Sequence, residues 1–153
     1  MVVGLAALAF WLVTASRESP AAVETNEPAA TAVPAAAQWQ RPVVSAAGLA
    51  DRSGVRIVQV AISGGGGLID LRYQVVDPDK AAVVHDPDRP PVIVDDATGV
   101  VVDQLLMGHS HTGSFNAGQT YYMIFENPGN LVQRGSKVSV LLGDAEVDQV
   151  DVQ

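Results

Sequence analysis

The side chains best suited to bind something in this chain are its three histidines, His85, His109 and His111. Two of them lie in the stretch Met107-Gly108-His109-Ser110-His111. Residues two apart project to the same side of an extended backbone, so both imidazoles can reach a single ion. A thioether at Met107 suits copper, which accepts mixed nitrogen and sulfur ligands. Met107, His109, His111 and His85 therefore form a candidate copper or zinc site. A polar loop that is solvated or touches a partner has the same composition, and that reading stands beside the metal one.

Other chemistry finds less support. The acidic pairs Asp77/Asp79, Asp86/Asp88 and Asp95/Asp96 are of a type that calcium uses. The Asp-Pro-Asp spacing of the first two instead fits turn formation, with aspartate supporting the local backbone and proline fixing φ, and these loops are expected to give the domain an acidic rim. Calcium loops carry a central glycine and a terminal glutamate, and that pattern is missing. The run Gly64-Gly65-Gly66-Gly67 precedes a strand and lacks a following Lys-Ser/Thr pair, so it reads as a permissive turn and not a phosphate loop. No Gly-x-Ser-x-Gly elbow or acid–base–nucleophile set is visible. The expectation is a non-enzymatic protein without a cofactor, copper being the alternative. Cysteine is absent, which excludes disulfides, thiolate metal sites and cysteine nucleophiles. A net charge of −8 argues against nucleic acid, which calls for a basic face, and against a polybasic membrane patch.

The elements that must position these residues fall into three parts. Residues 1–16 are apolar and uncharged, and as a helix they would span roughly 24 Å. That is slightly short of the ~30 Å hydrocarbon core. They are expected to be an uncleaved membrane anchor with Trp11 near an interface. A signal peptide cut near Thr14-Ala15-Ser16 is the alternative, and a buried core helix is a third reading. Residues 17–42 hold Pro20, Pro28, Pro34 and Pro42 among many alanines and read as an extended, semi-stiff tether. At its end Trp39 either packs on the edge of the following domain or anchors a partner, a role that tryptophan favours.

Residues 43–153 read as short strands separated by turn signals. The clearest is Leu68–Val76, where Ile69, Leu71, Tyr73 and Val75 alternate with Leu68, Asp70, Arg72 and Gln74. Further strands are expected at Val55–Ser63, Val92–Asp95, Val100–Leu106, Thr120–Glu126, Lys137–Leu142 and Val147–Val152. Asp77 is expected to cap a short helical turn with Pro78 in its first position. Seven strands without a crossover helix predict an all-β, antiparallel, immunoglobulin-like sandwich. Its expected core is Val58, Val60, Ile62, Ile69, Leu71, Tyr73, Val75, Ile93, Phe125, Val138, Val140 and Leu142.

Three segments carry a resemblance: Gly66 to Ala81, Tyr121-Tyr122-Met123-Ile124-Phe125-Glu126-Asn127-Pro128-Gly129, and Arg134-Gly135-Ser136-Lys137-Val138. They resemble small exported or membrane-anchored bacterial β-sandwich proteins whose function is unsettled. The resemblance covers most of residues 54–153 and implies a fold and an extracytoplasmic location, with no catalytic residues. The general plan also resembles periplasmic copper-carrier sandwiches.

The expected protein is thus an accessory subunit in a bacterial inner membrane. It would cross once by its N-terminal helix, with its C-terminal domain in the periplasm or outside the cell. Its partners would be subunits of a larger respiratory, photosynthetic or oxidase-type complex, met in part by Trp11 and Trp39. A periplasmic copper or zinc carrier using the Met107-His109-His111 loop is the alternative.

Overall fold

The computed structural model describes residues 39–106 and 114–153. The expected anchor with Trp11, most of the expected tether, and Met107, His109 and His111 lie outside these residues. The described elements run α1 (Ala46–Ser53), β1 (Val55–Ser63), β2 (Leu68–Val75), α2 (Pro78–Ala81), β3 (Val92–Asp95), β4 (Val101–Val102), β5 (Thr120–Glu126), β6 (Lys137–Leu142) and β7 (Ala145–Asp151). Two antiparallel sheets result, one in the order β1-β2-β5 and one in the order β4-β3-β6-β7.

Period-two alternation decides which side chains go inside. On β2, Ile69, Leu71, Tyr73 and Val75 are all fully buried. Met123 and Phe125 of β5 lie beside them, as Cα partners of Leu71 and Ile69. Ile93 of β3 and Val138, Val140 and Leu142 of β6 complete the same core from the other sheet. The structure is the expected all-β, two-sheet antiparallel sandwich.

Both flanks of the sandwich are crossed by the chain. β4 is two residues long, and beyond it the backbone passes to the other sheet. There the Leu106 N–H donates to the Ile124 carbonyl (2.9 Å) and the Glu126 N–H to Gln104 (2.8 Å). On the opposite flank, the residues after β7 reach β1. The Ile62 N–H donates to Gln153 (2.8 Å), and the Gln153 N–H donates to Val60 (2.9 Å). These bonds occupy main-chain groups that a free sheet edge would offer to another chain.

The expectations need three corrections. Val58 is half exposed, not core. A bulge between Ile57 and Gln59 shifts the register against β2. Val55 points in before it and Val60 after it, so Val58 is turned to solvent. The expected strand Val100–Leu106 is divided between the two sheets, as described above. The third correction is α1, which precedes the first strand. Its Ser45 side chain caps the Gly48 N–H (3.1 Å), and Gly54 closes it in the left-handed region at φ 63. A Cβ at Gly54 would stand 2.3 Å from the Asp77 carbonyl. Only glycine fits where the end of the helix touches the start of α2.

Two of the turns are fastened from within. Gly64, Gly65 and Gly66 all take positive φ, which is why the run is glycine. Asn127 is buried and ties this turn to the following loop. Its Nδ2 donates to Gly66 O (2.7 Å) and Val132 O (2.8 Å), while its Oδ1 accepts from Val132 N–H (3.1 Å). α2 begins as expected, with Asp77 Oδ1 accepting from the Asp79 and Lys80 N–H groups.

The bulge makes a stability prediction. Val58→Thr should change the unfolding free energy by less than about 0.5 kcal/mol, as exposed sites do. Val60→Thr should cost about 1–3 kcal/mol, since it buries a hydroxyl and removes a methyl. Urea unfolding of both variants measures the contrast, and equal losses would mean that β1 has no bulge.

Candidate functional site

Four rings, His85 among them, form one connected group. His85 ends a single 3-10 turn, Ala82–His85, that follows α2 directly. Val84 of that turn is fully buried and fixes its seat. The Nε2 of His85 lies 3.2 Å from the Tyr73 hydroxyl. Tyr73 stacks on Tyr121 with ring centroids 5.9 Å apart, as expected for directly paired residues of β2 and β5. Phe115 meets Tyr121 edge to face at 5.2 Å and leans on His85 at 5.0 Å. The contacts close a circuit from His85 through Tyr73, Tyr121 and Phe115. Aromatic pairs of this kind contribute about 0.5–1.5 kcal/mol each beyond burial.

This circuit holds the chain at Phe115 and Asn116. Phe115 is held by His85 and Tyr121, and the Asn116 N–H donates to the Tyr121 hydroxyl (3.2 Å). The Gly118 N–H and the Gln74 side chain then clamp the returning chain to the end of β2. Leu106, which precedes residues 107–113 in sequence, is bonded to β5. Of the sequence-predicted ligands, only His85 lies among the described residues. A metal on its Nε2 would displace the Tyr73 phenol, whereas coordination through Nδ1 would leave the phenol in place. Among the described residues no three His, Asp or Glu side chains are grouped to hold a metal.

The acidic pairs serve the backbone. Asp86 Oδ1 accepts from the Asp88 N–H (3.0 Å). Asp95 accepts from the Thr98 N–H (3.0 Å) and hydroxyl (2.6 Å). Asp96 holds the bulge of β7, taking bonds from Ser139 Oγ (2.8 Å) and Gln149 Nε2 (2.8 Å). Trp39 is partly buried.

The outward face of the β1-β2-β5 sheet is the second notable surface. Tyr122 and Val58 are each 50% exposed and Leu106 is 49% exposed. The register makes neighbours of them. Tyr122 lies opposite Arg72, and Leu106 pairs with Ile124, two residues further along β5. Val58 bulges out just where β1 passes Arg72. In the middle, Asp70 Oδ2 accepts from Arg72 Nε (3.0 Å) and Nη2 (2.8 Å). Asp70 Oδ1 is buried and has no hydrogen-bond donor among the described residues.

No family model, curated protein or solved structure matches the chain. The geometry has to carry the functional reading.

Sequence reasoning identified His85 but missed its surroundings. Tyr73 and Tyr121 were legible as a pair once β2 and β5 are set antiparallel in register. Phe115 stands alone in a polar loop, and nothing local marks it as a contact of His85.

Burial, and next to it the charge of an ionising Tyr121, pushes the Tyr73 phenol above its ordinary range. A phenol whose folded pKa is raised stabilises the fold fully below its unfolded pKa of about 10. That contribution is lost as the pH rises further, because the unfolded chain then binds fewer protons. Stability should therefore fall above about pH 10, with Tyr73 contributing up to about 1.4 kcal/mol per pH unit. Tyr73→Phe should remove that share of the slope and cost about 1 kcal/mol at pH 7 through the lost hydrogen bond. Urea unfolding of both proteins between pH 8 and 11 measures it.

Proposed function

We propose that this protein is a non-catalytic accessory subunit that docks on a bacterial membrane protein complex through the outward face of its β1-β2-β5 sheet. The observation that carries the reading is the composition of that face. It sets half-exposed Tyr122, Leu106 and Val58 around the Arg72–Asp70 pair. Tyrosine and arginine are enriched at the energetic centres of interfaces, ringed by apolar neighbours that exclude water. In this reading residues 43–153 are an immunoglobulin-like domain, a plan that the strand orders β1-β2-β5 and β4-β3-β6-β7 fit. The apolar residues 1–16 anchor it in the inner membrane and residues 17–42 tether it on the periplasmic or outer side. Partners are subunits of the complex, of respiratory, photosynthetic or oxidase type.

Purification from native membranes in mild detergent tests the reading. The wild type should co-migrate with a large complex. Tyr122→Asp and Leu106→Glu should abolish co-migration while leaving the circular dichroism spectrum unchanged. Val101→Asp, on the other sheet, should co-migrate normally. A lone wild-type chain, or face variants that still co-migrate, would overturn the proposal.

One contact favours a second reading, a periplasmic copper or zinc carrier. Phe115, four residues after His111 in sequence, rests on His85, and this contact supports a role for His85 beside the His109 and His111 ligands. The purified protein should then take up one copper or zinc ion and lose it on His109→Ala or His85→Ala. Absence of uptake at stoichiometric metal contradicts this reading.

A further inference from the structure

Three of the nine lysines and arginines in the chain line one cleft. Arg41, Arg52 and Arg89 meet there with Gln40, Pro42, Asp88 and Asp144, around a space of about 400 Å³. The cleft lies where the incoming chain joins the domain, because the Glu146 N–H donates to Pro42 O (3.0 Å).

The charges in the cleft are unequally compensated. Arg52 is paired with Asp144 at 3.1 Å. Asp144 also accepts from the buried Ser53 hydroxyl (3.1 Å), so its carboxylate is already engaged. Among the described residues Arg41 and Arg89 make no ion pair. Arg41 is partly buried. Its Nη2 donates to the Pro90 carbonyl at 2.6 Å, and its Nη1 is enclosed with no acceptor among the described residues. Arg89 is exposed in the same cleft. Burial lowers the pKa of Arg41, and the nearby charge of Arg89 lowers it further, while Asp144, Glu146 and Asp86 partly offset both. A fixed guanidinium beside a second, unpaired one is a preorganised anion receptor, and a buried polar atom without a partner is where a bound ion is expected.

We propose that the Arg41–Arg89 cleft binds an oxyanion, a phosphoryl group or a carboxylate, with Arg89 contacting it directly and Arg41 supplying a fixed positive field. Asp88 shares the cleft and opposes the anion, which keeps the affinity modest.

Isothermal titration of the purified full-length chain with inorganic phosphate, and separately with succinate, at constant ionic strength tests the site. Binding of either supports it. Tighter phosphate marks a phosphoryl ligand, and tighter succinate marks an acidic side chain or chain terminus. Arg89→Gln should weaken binding about tenfold or more, the usual loss for a charge-assisted hydrogen bond. Asp88→Asn should strengthen it several-fold, which a purely structural role would not do. Arg134→Gln, in a separate cleft with Ile62 and Asn130, should bind as the wild type does. Arg41→Gln also loses the tie to Pro90, so the Arg89 and Asp88 variants carry the test. The proposal is overturned if neither anion binds, or if Arg89→Gln binds as tightly as the wild type.

Discussion

Backbone hydrogen bonds at two points carry the chain from one sheet to the other, and the sandwich depends on them. Leu106 and Gln104 bond to β5 on one flank, and Gln153 bonds to β1 on the other. A two-sheet sandwich of this size has four edge strands, each an invitation to pair with another chain. Here each sheet lends residues to the other, so edge groups are used internally. The crossings also fix what each face can do. With edge pairing restricted, association has to use side chains on the sheet faces or in the loops.

The crossing after β4 has a further consequence for the histidine-bearing segment. Of the residues that flank it in sequence, Leu106 bonds to β5 and Phe115 is seated on His85 and Tyr121. The same crossing puts Leu106 on the outward face beside Ile124 and Tyr122. One local departure from a simple hairpin thus shapes both surfaces considered for function.

Much of this was legible in the residues. β2 alternates cleanly because it is the central strand of its sheet, with one face wholly inside. The bounds of β3, β5 and β6 follow from the turn residues that flank them. What escaped reading has identifiable causes. Val58 obeys the alternation of Val60 and Ile62, and a bulge leaves no mark when the extra residue is itself a β-former. α1 is composed of small residues much like the tether before it, and only Ser45 and Gly54 signal its ends. The switch between sheets after Val102 depends on long-range pairing, which local patterning does not encode. Arg41 looked like part of a spacer, and its role became visible only with Pro90, Arg89 and Asp144 around it.

The central claim is that the β1-β2-β5 face meets a membrane-complex subunit. Site-specific photo-cross-linking in native membranes tests it most directly, with the cross-linker placed at Tyr122 or, on the other sheet, at Asp148. Position 122 should give a discrete adduct with a subunit of one complex, and position 148 none. Adducts from position 148 alone, or none from either, would contradict the claim.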